Sequence, residues 1–229
     1  METLHNGFTL DTPPGTFPLS TDSMLLADFV RLPKNAHVLD LGSGCGTLGV
    51  LLCAKDSGCH VTGVELDEKA HNAALNNIHA NALEGRMESI FGDLRHLHQI
   101  TQPGHFSCCV SNPPYFSAGA VSQTVPLARH DQNCSMEALF QTAAKALKFG
   151  GDFFLVQKPD ALARICFCAI RSGLEPKKLR FVRHSPGNDI SLILIQCRKG
   201  GKPGLLTEEL CLFDEDGHPT DAYQRIYHL

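Results

Sequence analysis

The sequence predicts an α/β fold, a doubly wound, mostly parallel seven-stranded sheet with an antiparallel last strand and helices on both faces. Three observations carry that prediction. Apolar strand-like runs alternate with helical spacing from residue 37 to residue 171, and two further strands then close the series around Pro186-Gly187-Asn188-Asp189. The first strand runs into a glycine-rich turn that opens a helix. Asp40, Gly42, Glu65, Asp93 and Asn112 all fall at the carboxyl ends of predicted strands, where open sheets of this kind bind ligands.

Residues 8–19 hold three prolines and a glycine among apolar side chains, which predicts an irregular lead-in outside the main sheet. Ser20, Thr21 and Asp22 are good helix caps, and Leu25, Leu26, Phe29 and Val30 come next at helical spacing. That short helix is expected against the sheet edge or over the glycine turn. Val38, Leu39 and Leu41 belong to a strand buried on both faces. Gly42-Ser43-Gly44-Cys45-Gly46 then brings backbone close to a ligand, and Leu48–Ala54 form a helix. Further strands are expected at 60–66, 87–93, 105–110 and 152–158, with helices at 67–81, 136–147 and 161–171, the second of them stopped by Gly150-Gly151. The last strands are 179–185 and 190–198. Residues 117–134 show no period, and so long an irregular stretch in a compact domain reads as a lid or binding loop. Past Lys202 the tail is acidic and broken by Gly and Pro.

The 229 residues suit one domain, with a lead-in at 1–36, a catalytic core at 37–201 and a tail at 202–229. No apolar run reaches the length of a membrane span, and the N-terminal residues lack the basic start and apolar core of a secretion signal, so a cytoplasmic protein is expected. The ten cysteines lie mostly in apolar runs without a C-x-x-C, which reads as buried small hydrophobes and predicts no metal site. His96 and His98 have no ligand set near them. Net charge is −4, yet residues 164–202 carry nine Lys and Arg against two acids. That segment, with Lys177, Lys178 and Arg180, is a candidate footprint for an acidic partner.

Gly44, Gly46 and Gly49 satisfy G-x-G-x-x-G, so a dinucleotide or an adenosyl cofactor fits the turn. In either case Glu65, 21 residues beyond Gly44, can accept from ribose hydroxyls. Asp40 separates the two. A carboxylate just before the first glycine repels a pyrophosphate and suits the ammonium of a methionyl group, which points to S-adenosyl-L-methionine. Asp93 can take an adenine amino group, or can simply be a capping residue after Gly92. Ser43, Leu66 and Leu94 complete the expected cofactor site with Gly42, Gly44, Gly46, Gly92 and Asn112.

The acceptor side is read from Asn112-Pro113-Pro114-Tyr115, expected two strand positions from the glycine turn. The prolines fix φ and remove two donors, leaving acceptors that could take both hydrogens of an NH2 group. Tyr115 or Phe116 would stack on a flat substrate. An amine conjugated with a ring is a poor nucleophile, and acceptors that pull its hydrogens out of plane localise its lone pair. Arg129 and His130, in the irregular loop, are candidate phosphate contacts.

Asp40-Leu-Gly42-Ser-Gly44-Cys-Gly46, Glu65, Gly92-Asp93 and Asn112-Pro-Pro-Tyr115 together resemble the motifs of class I, Rossmann-like S-adenosylmethionine methyltransferases of the amino-methylating type. Phe17-Pro-Leu-Ser-Thr-Asp22-Ser-Met-Leu-Leu-Ala27, Ala128-Arg129-His130, Arg180-Phe-Val182 and Leu212-Phe-Asp-Glu-Asp-Gly217 with Tyr227 narrow it. These stretches are similar to the bacterial tRNA1(Val) adenine-37 N6-methyltransferase family. The resemblance spans nearly the whole chain and implies methylation of an adenine N6 amine in tRNA, by a protein expected to be a monomer. Four other readings compete. N5-methylation of a release-factor glutamine shares the tetrapeptide but usually requires a helical docking domain ahead of the glycine motif, where residues 1–36 are short. Guanine-N2 methylation of ribosomal RNA usually has Phe in place of Tyr115. A non-catalytic RNA-binding module and an NAD oxidoreductase are the others.

Overall fold

The computed structural model describes residues 2–4, 7–99, 101–115 and 135–227. The lead-in holds two short strands, β1 (Glu2–Thr3) and β2 (Thr9–Leu10), paired antiparallel outside the main sheet as expected. Helix α1 (Thr21–Phe29) starts where Ser20 Oγ accepts from the Ser23 amide. After it come β3 (His37–Leu41), α2 (Thr47–Lys55), β4 (His60–Glu65), α3 (Glu68–Ala80), β5 (Met87–Phe91), a 3-10 turn (Leu94–Gln99) and β6 (Phe106–Ser111). The second half contains α4 (Met136–Ala146), β7 (Leu147–Gln157), α5 (Leu162–Arg171), β8 (Leu174–Arg183), β9 (Ile190–Lys199), β10 (Leu206–Cys211) and α6 (Asp221–Tyr227).

Among the described residues the main sheet has eight strands, not seven, in the order β10-β8-β9-β7-β6-β3-β4-β5. It is mostly parallel, and the antiparallel strand is β9, held between β7 and β8; the last strand, β10, runs parallel to β8. The extra strand hid in the acidic tail. An edge strand buries little, and here Leu206 is exposed while Leu210 is buried. Glu208 and Glu209 lie opposite Arg180 and Phe181 of β8, so their charge is used across the strands and does not mark a loop. Gly150-Gly151 likewise does not end a helix. Strand β7 already begins at Leu147 and passes through both glycines, where its register with β6 shifts; a Cβ on Gly151 would sit 3.0 Å from the Ser107 carbonyl oxygen.

Alternating strand residues feed a core on each face. Val38, Leu25, Leu26, Leu52, Ile78 and Ile226 share one core, with α1, α2, α3 and α6. Leu39, Leu41, Phe140, Ile165 and Ala169 share the other, with α4 and α5. Helix α1 therefore lies on a sheet face, where Phe29 meets Phe154 of β7 edge-on at 5.9 Å, and not at the sheet edge. Lys55 Nζ holds its far end by donating to the carbonyls of Ala27, Asp28 and Val30. Among the described cysteines all nine are free and seven are buried.

The chain runs from β3 outward through β4 and β5, then crosses to β6 on the opposite side of β3. The crevice at this switch point lies between adjacent strands. Asn112 is thus one strand from the glycine turn, not two, and Ser111 Oγ donates to the Leu41 carbonyl at 2.7 Å across the gap.

One glycine of the turn, Gly46, and one in the first turn of α2, Gly49, have a packing role. A Cβ on Gly49 would lie 2.4 Å from Met87 Cε and 3.3 Å from Val61 Cγ1, and one on Gly46 2.8 Å from Met87 Cε. We expect Gly49→Ala to lower stability by about 1–3 kcal/mol through overpacking of α2 on the sheet, read as a lower urea midpoint at unchanged m-value.

Candidate active site

The turn after β3 is shaped by its backbone. Gly42, Gly44 and Gly46 have φ of 73°, 56° and 79°, in the left-handed region that favours glycine, and a Cβ at Gly42 or Gly44 would meet nothing within 4 Å. Those two positions are open where a ligand would lie. The amides of Gly42 and Ser43 donate to the Val64 carbonyl, tying the turn to the end of β4.

Asp40 is 1% exposed and neither carboxylate oxygen has a hydrogen-bond partner among the described residues. Burial, and then the nearby Glu65 charge, push its carboxyl up to about 8. Ser43 Oγ is also buried and unpartnered. An unsatisfied buried acid at the head of a glycine turn is costly by itself and fits a site completed by a cationic group. A pyrophosphate beside it would push the carboxyl up further and could not stabilise its ionised form.

Glu65 ends β4 and is 5% exposed. Oε2 accepts from the Gly44 amide at 2.7 Å, and Oε1 from the amides of Leu66 at 2.8 Å and Asp67 at 2.7 Å. The acid therefore fixes the turn against β4, and a ribose contact would share a carboxylate already held in place. Leu66 beside it is 37% exposed, an apolar surface at the strand end. Asp93, next to Gly92, accepts from the Arg95 amide and guanidinium, which holds its carboxyl below the usual range. This is the capping alternative, with an ion pair added. Leu94 packs against the second core.

Asn112 and Tyr115 are held from outside their own segment. Asn112 Nδ2 donates to Ser23 Oγ at 3.0 Å, and the Tyr115 hydroxyl donates to Asp22, both on α1. At the end of β7, Gln157 Nε2 donates to the Pro114 carbonyl at 3.4 Å, and Nζ of Lys158, the residue after the strand, lies 4.7 Å from the centre of the Tyr115 ring. Burial, and then Asp22, keep the Tyr115 phenol protonated, its pKa well above the ordinary value. Sequence reasoning missed these four supports. Asp22 and Ser23 look like helix caps, and Gln157 and Lys158 look like the end of one more strand, although position at a strand's carboxyl end was a usable signal for that pair.

The structure thus brings Asp40, Gly42, Ser43, Gly44, Gly46, Glu65, Leu66 and Asn112 to Tyr115 to one end of the sheet. Phe116, Arg129, His130 and the irregular loop lie outside the described residues. Lys177, Lys178 and Arg180 lie on β8 and are engaged by partners within the chain. Arg180 is 9% exposed and pairs with Asp28 at 2.9 Å and with Glu208. Asp28 is six residues along α1 from Asp22, about 9 Å of helix rise. Lys178 pairs with Glu208 at 2.7 Å, and Lys177 donates to the carbonyls of Lys202 and Gly204. Arg164, Arg183 and Arg198 also face acids, Glu137, Glu209 and Asp152. Much of the basic segment is therefore neutralised by acids distant in sequence. We expect Arg180→Ala to cost about 2–3 kcal/mol in urea unfolding, below the figure for a fully buried pair, with RNA affinity unchanged in a binding titration.

The chain resembles known proteins over most of its length. The family model for the methyltransferase small domain matches residues 9–164, which include α1, the glycine turn, Glu65, Asp93 and Asn112 to Tyr115. The chain belongs to the methyltransferase small domain family. This methyltransferase is 28% identical over 217 residues to a protein of Shewanella sp. (strain MR-7) named tRNA1(Val) (adenine(37)-N6)-methyltransferase, covering 93% of this chain and 92% of that one. A protein of the same name from Tolumonas auensis is 30% identical, over 91% and 87% of the two chains. Among solved structures, a predicted O-methyltransferase from Agrobacterium tumefaciens superposes with a TM-score of 0.77 at 22% identity, covering 91% of this methyltransferase and 96% of that chain. That likeness shows the class I methyltransferase fold and leaves the acceptor to the site itself.

Proposed function

We propose that the protein is an S-adenosylmethionine-dependent methyltransferase acting on the exocyclic N6 amine of an adenine in tRNA. The observation that carries the reading is the pairing, at one switch point, of the unpartnered buried Asp40 with Asn112-Pro-Pro-Tyr115 fixed on the adjacent strand. The names of the relatives from Shewanella and Tolumonas support adenine in tRNA as the acceptor.

S-adenosylmethionine supplies an electrophilic sulfonium methyl when bound. Asp40 would hold the methionyl ammonium, and that cation would favour its ionised carboxylate. Gly42 and Gly44 would let backbone approach the cofactor, Glu65 would hold the ribose hydroxyls, and Asp93 is the acid that would take the adenine amino group in place of its pair with Arg95. Asn112 Oδ1 accepts a hydrogen bond from the target amine, which localises the nitrogen lone pair for attack; the nitrogen–methyl bond would form as the sulfur–methyl bond breaks, and the surplus amine proton would pass to water. The Tyr115 ring, partly buried and with Lys158 Nζ near it, is the group that would stack on the acceptor base. Positioning and electrostatics carry the step, with no covalent enzyme intermediate.

No helix among the described residues is long and apolar enough to cross a membrane. The expected setting is the cytoplasm, where tRNA is met. The test is incubation of purified protein with methyl-labelled cofactor and tRNA lacking the modification. Label in tRNA supports the reading. Cofactor binding by calorimetry with no label in tRNA rejects it.

A further inference from the structure

The acceptor tetrapeptide depends on the first turn of α1. Ser23 is 5% exposed, its amide is capped by Ser20 Oγ, and its own Oγ lies 3.3 Å from that of Ser20. The hydroxyl that meets Asn112 Nδ2 is therefore fixed by the helix start. This matters because a primary amide can turn over, exchanging an acceptor for a donor at the same place. An Nδ2 turned towards the target amine would oppose hydrogen to hydrogen. The neighbouring Asp22 holds the Tyr115 hydroxyl, so two adjacent helix residues fix the two ends of the motif.

We propose that Ser23 and Asp22 are the positioning residues of the acceptor site. Ser23, its own proton given to Ser20 Oγ, is left to accept from Nδ2 and so selects the amide orientation that presents Asn112 Oδ1 to the incoming amine, and Asp22 fixes where the outer end of the Tyr115 ring lies. Neither touches the substrate. The assignment rests on the role given to Asn112 above, and it extends the site to a helix that otherwise reads as packing.

The test combines two readouts on the full chain. In ¹⁵N spectra of the protein without RNA, the Asn112 side-chain amide is resolved and protected from solvent exchange, and Ser23→Ala shifts that pair and removes its protection. An Asn112 amide signal unchanged by Ser23→Ala overturns the proposal. In turnover with tRNA, Ser23→Ala lowers kcat about fivefold, as loss of one orienting hydrogen bond would, with the KM for cofactor unchanged. On an Asn112→Ala background the same substitution has no further effect. An equal loss on that background would mean that Ser23 acts through helix packing, and would also overturn it. Asp22→Ala and Tyr115→Phe remove the same bond, so their effects on kcat are expected not to add. Additive effects reject the role of Asp22. If wild-type protein leaves tRNA unlabelled, the function reading fails, while the amide spectra still decide whether Ser23 orients Asn112.

Discussion

Replacing Asn112 by alanine is expected to lower turnover by about 10²-fold or more while cofactor affinity changes little. The side chain is half-buried at the end of β6, and Ser23 engages its nitrogen, which leaves its carbonyl for the acceptor. An interaction that strengthens as the amine loses planarity contributes to the transition state more than to ground-state binding. Single-turnover assays with labelled cofactor, paired with calorimetry, separate the two effects. A variant with wild-type turnover would remove Asn112 from the chemistry. A variant that loses cofactor binding would move it to the other half of the site.

Asp40→Asn is expected to have two effects of opposite sign. Without cofactor, Asp40 is held protonated up to about pH 8 in the folded chain, against an ordinary value of 3.8. The folded state therefore binds more protons than the unfolded state between those limits, and stability contributed at this position falls as pH rises from about 4 to about 8. Asparagine removes that slope. The variant should be more stable than wild type at pH 8, by up to several kcal/mol, and equal to it near pH 4. At the same time it loses the charge that meets the methionyl ammonium, and cofactor affinity should fall about 10-fold to 100-fold, as for loss of a hydrogen bond between charged groups. Urea melts at several pH values and a calorimetric titration measure both. Equal pH slopes for the two proteins would mean that Asp40 is ionised in the empty site.

The strand-end rule made most of this site legible. It needs only that a parallel strand deliver its last polar residue to one edge, and Asp40, Glu65 and Asn112 obey it. What it could not reveal is how such residues are already engaged. Glu65 accepts three backbone amides, and Asp93 pairs with Arg95 two residues on, because carboxylates at strand ends also satisfy the turns they begin. Asp22 and Ser23 were invisible as site residues for a different reason. Their meeting with Tyr115 and Asn112 spans about ninety positions, and no local pattern encodes it. The pairing within the basic segment was hidden in the same way, since the acids that neutralise Arg180 are supplied by α1 and β10. The strand β10 was missed because an edge strand with adjacent glutamates lacks the apolar alternation that marks a buried one.

Methylation of an adenine N6 amine in tRNA is tested most directly by mass spectrometry of nucleosides from tRNA of cells with and without the gene. N6-methyladenosine in one tRNA is expected to fall when the gene is removed and to return with the wild-type gene but not with Asn112→Ala. Unchanged N6-methyladenosine, with loss instead of a methylated guanine or of a methylated glutamine in a release factor, would contradict that assignment.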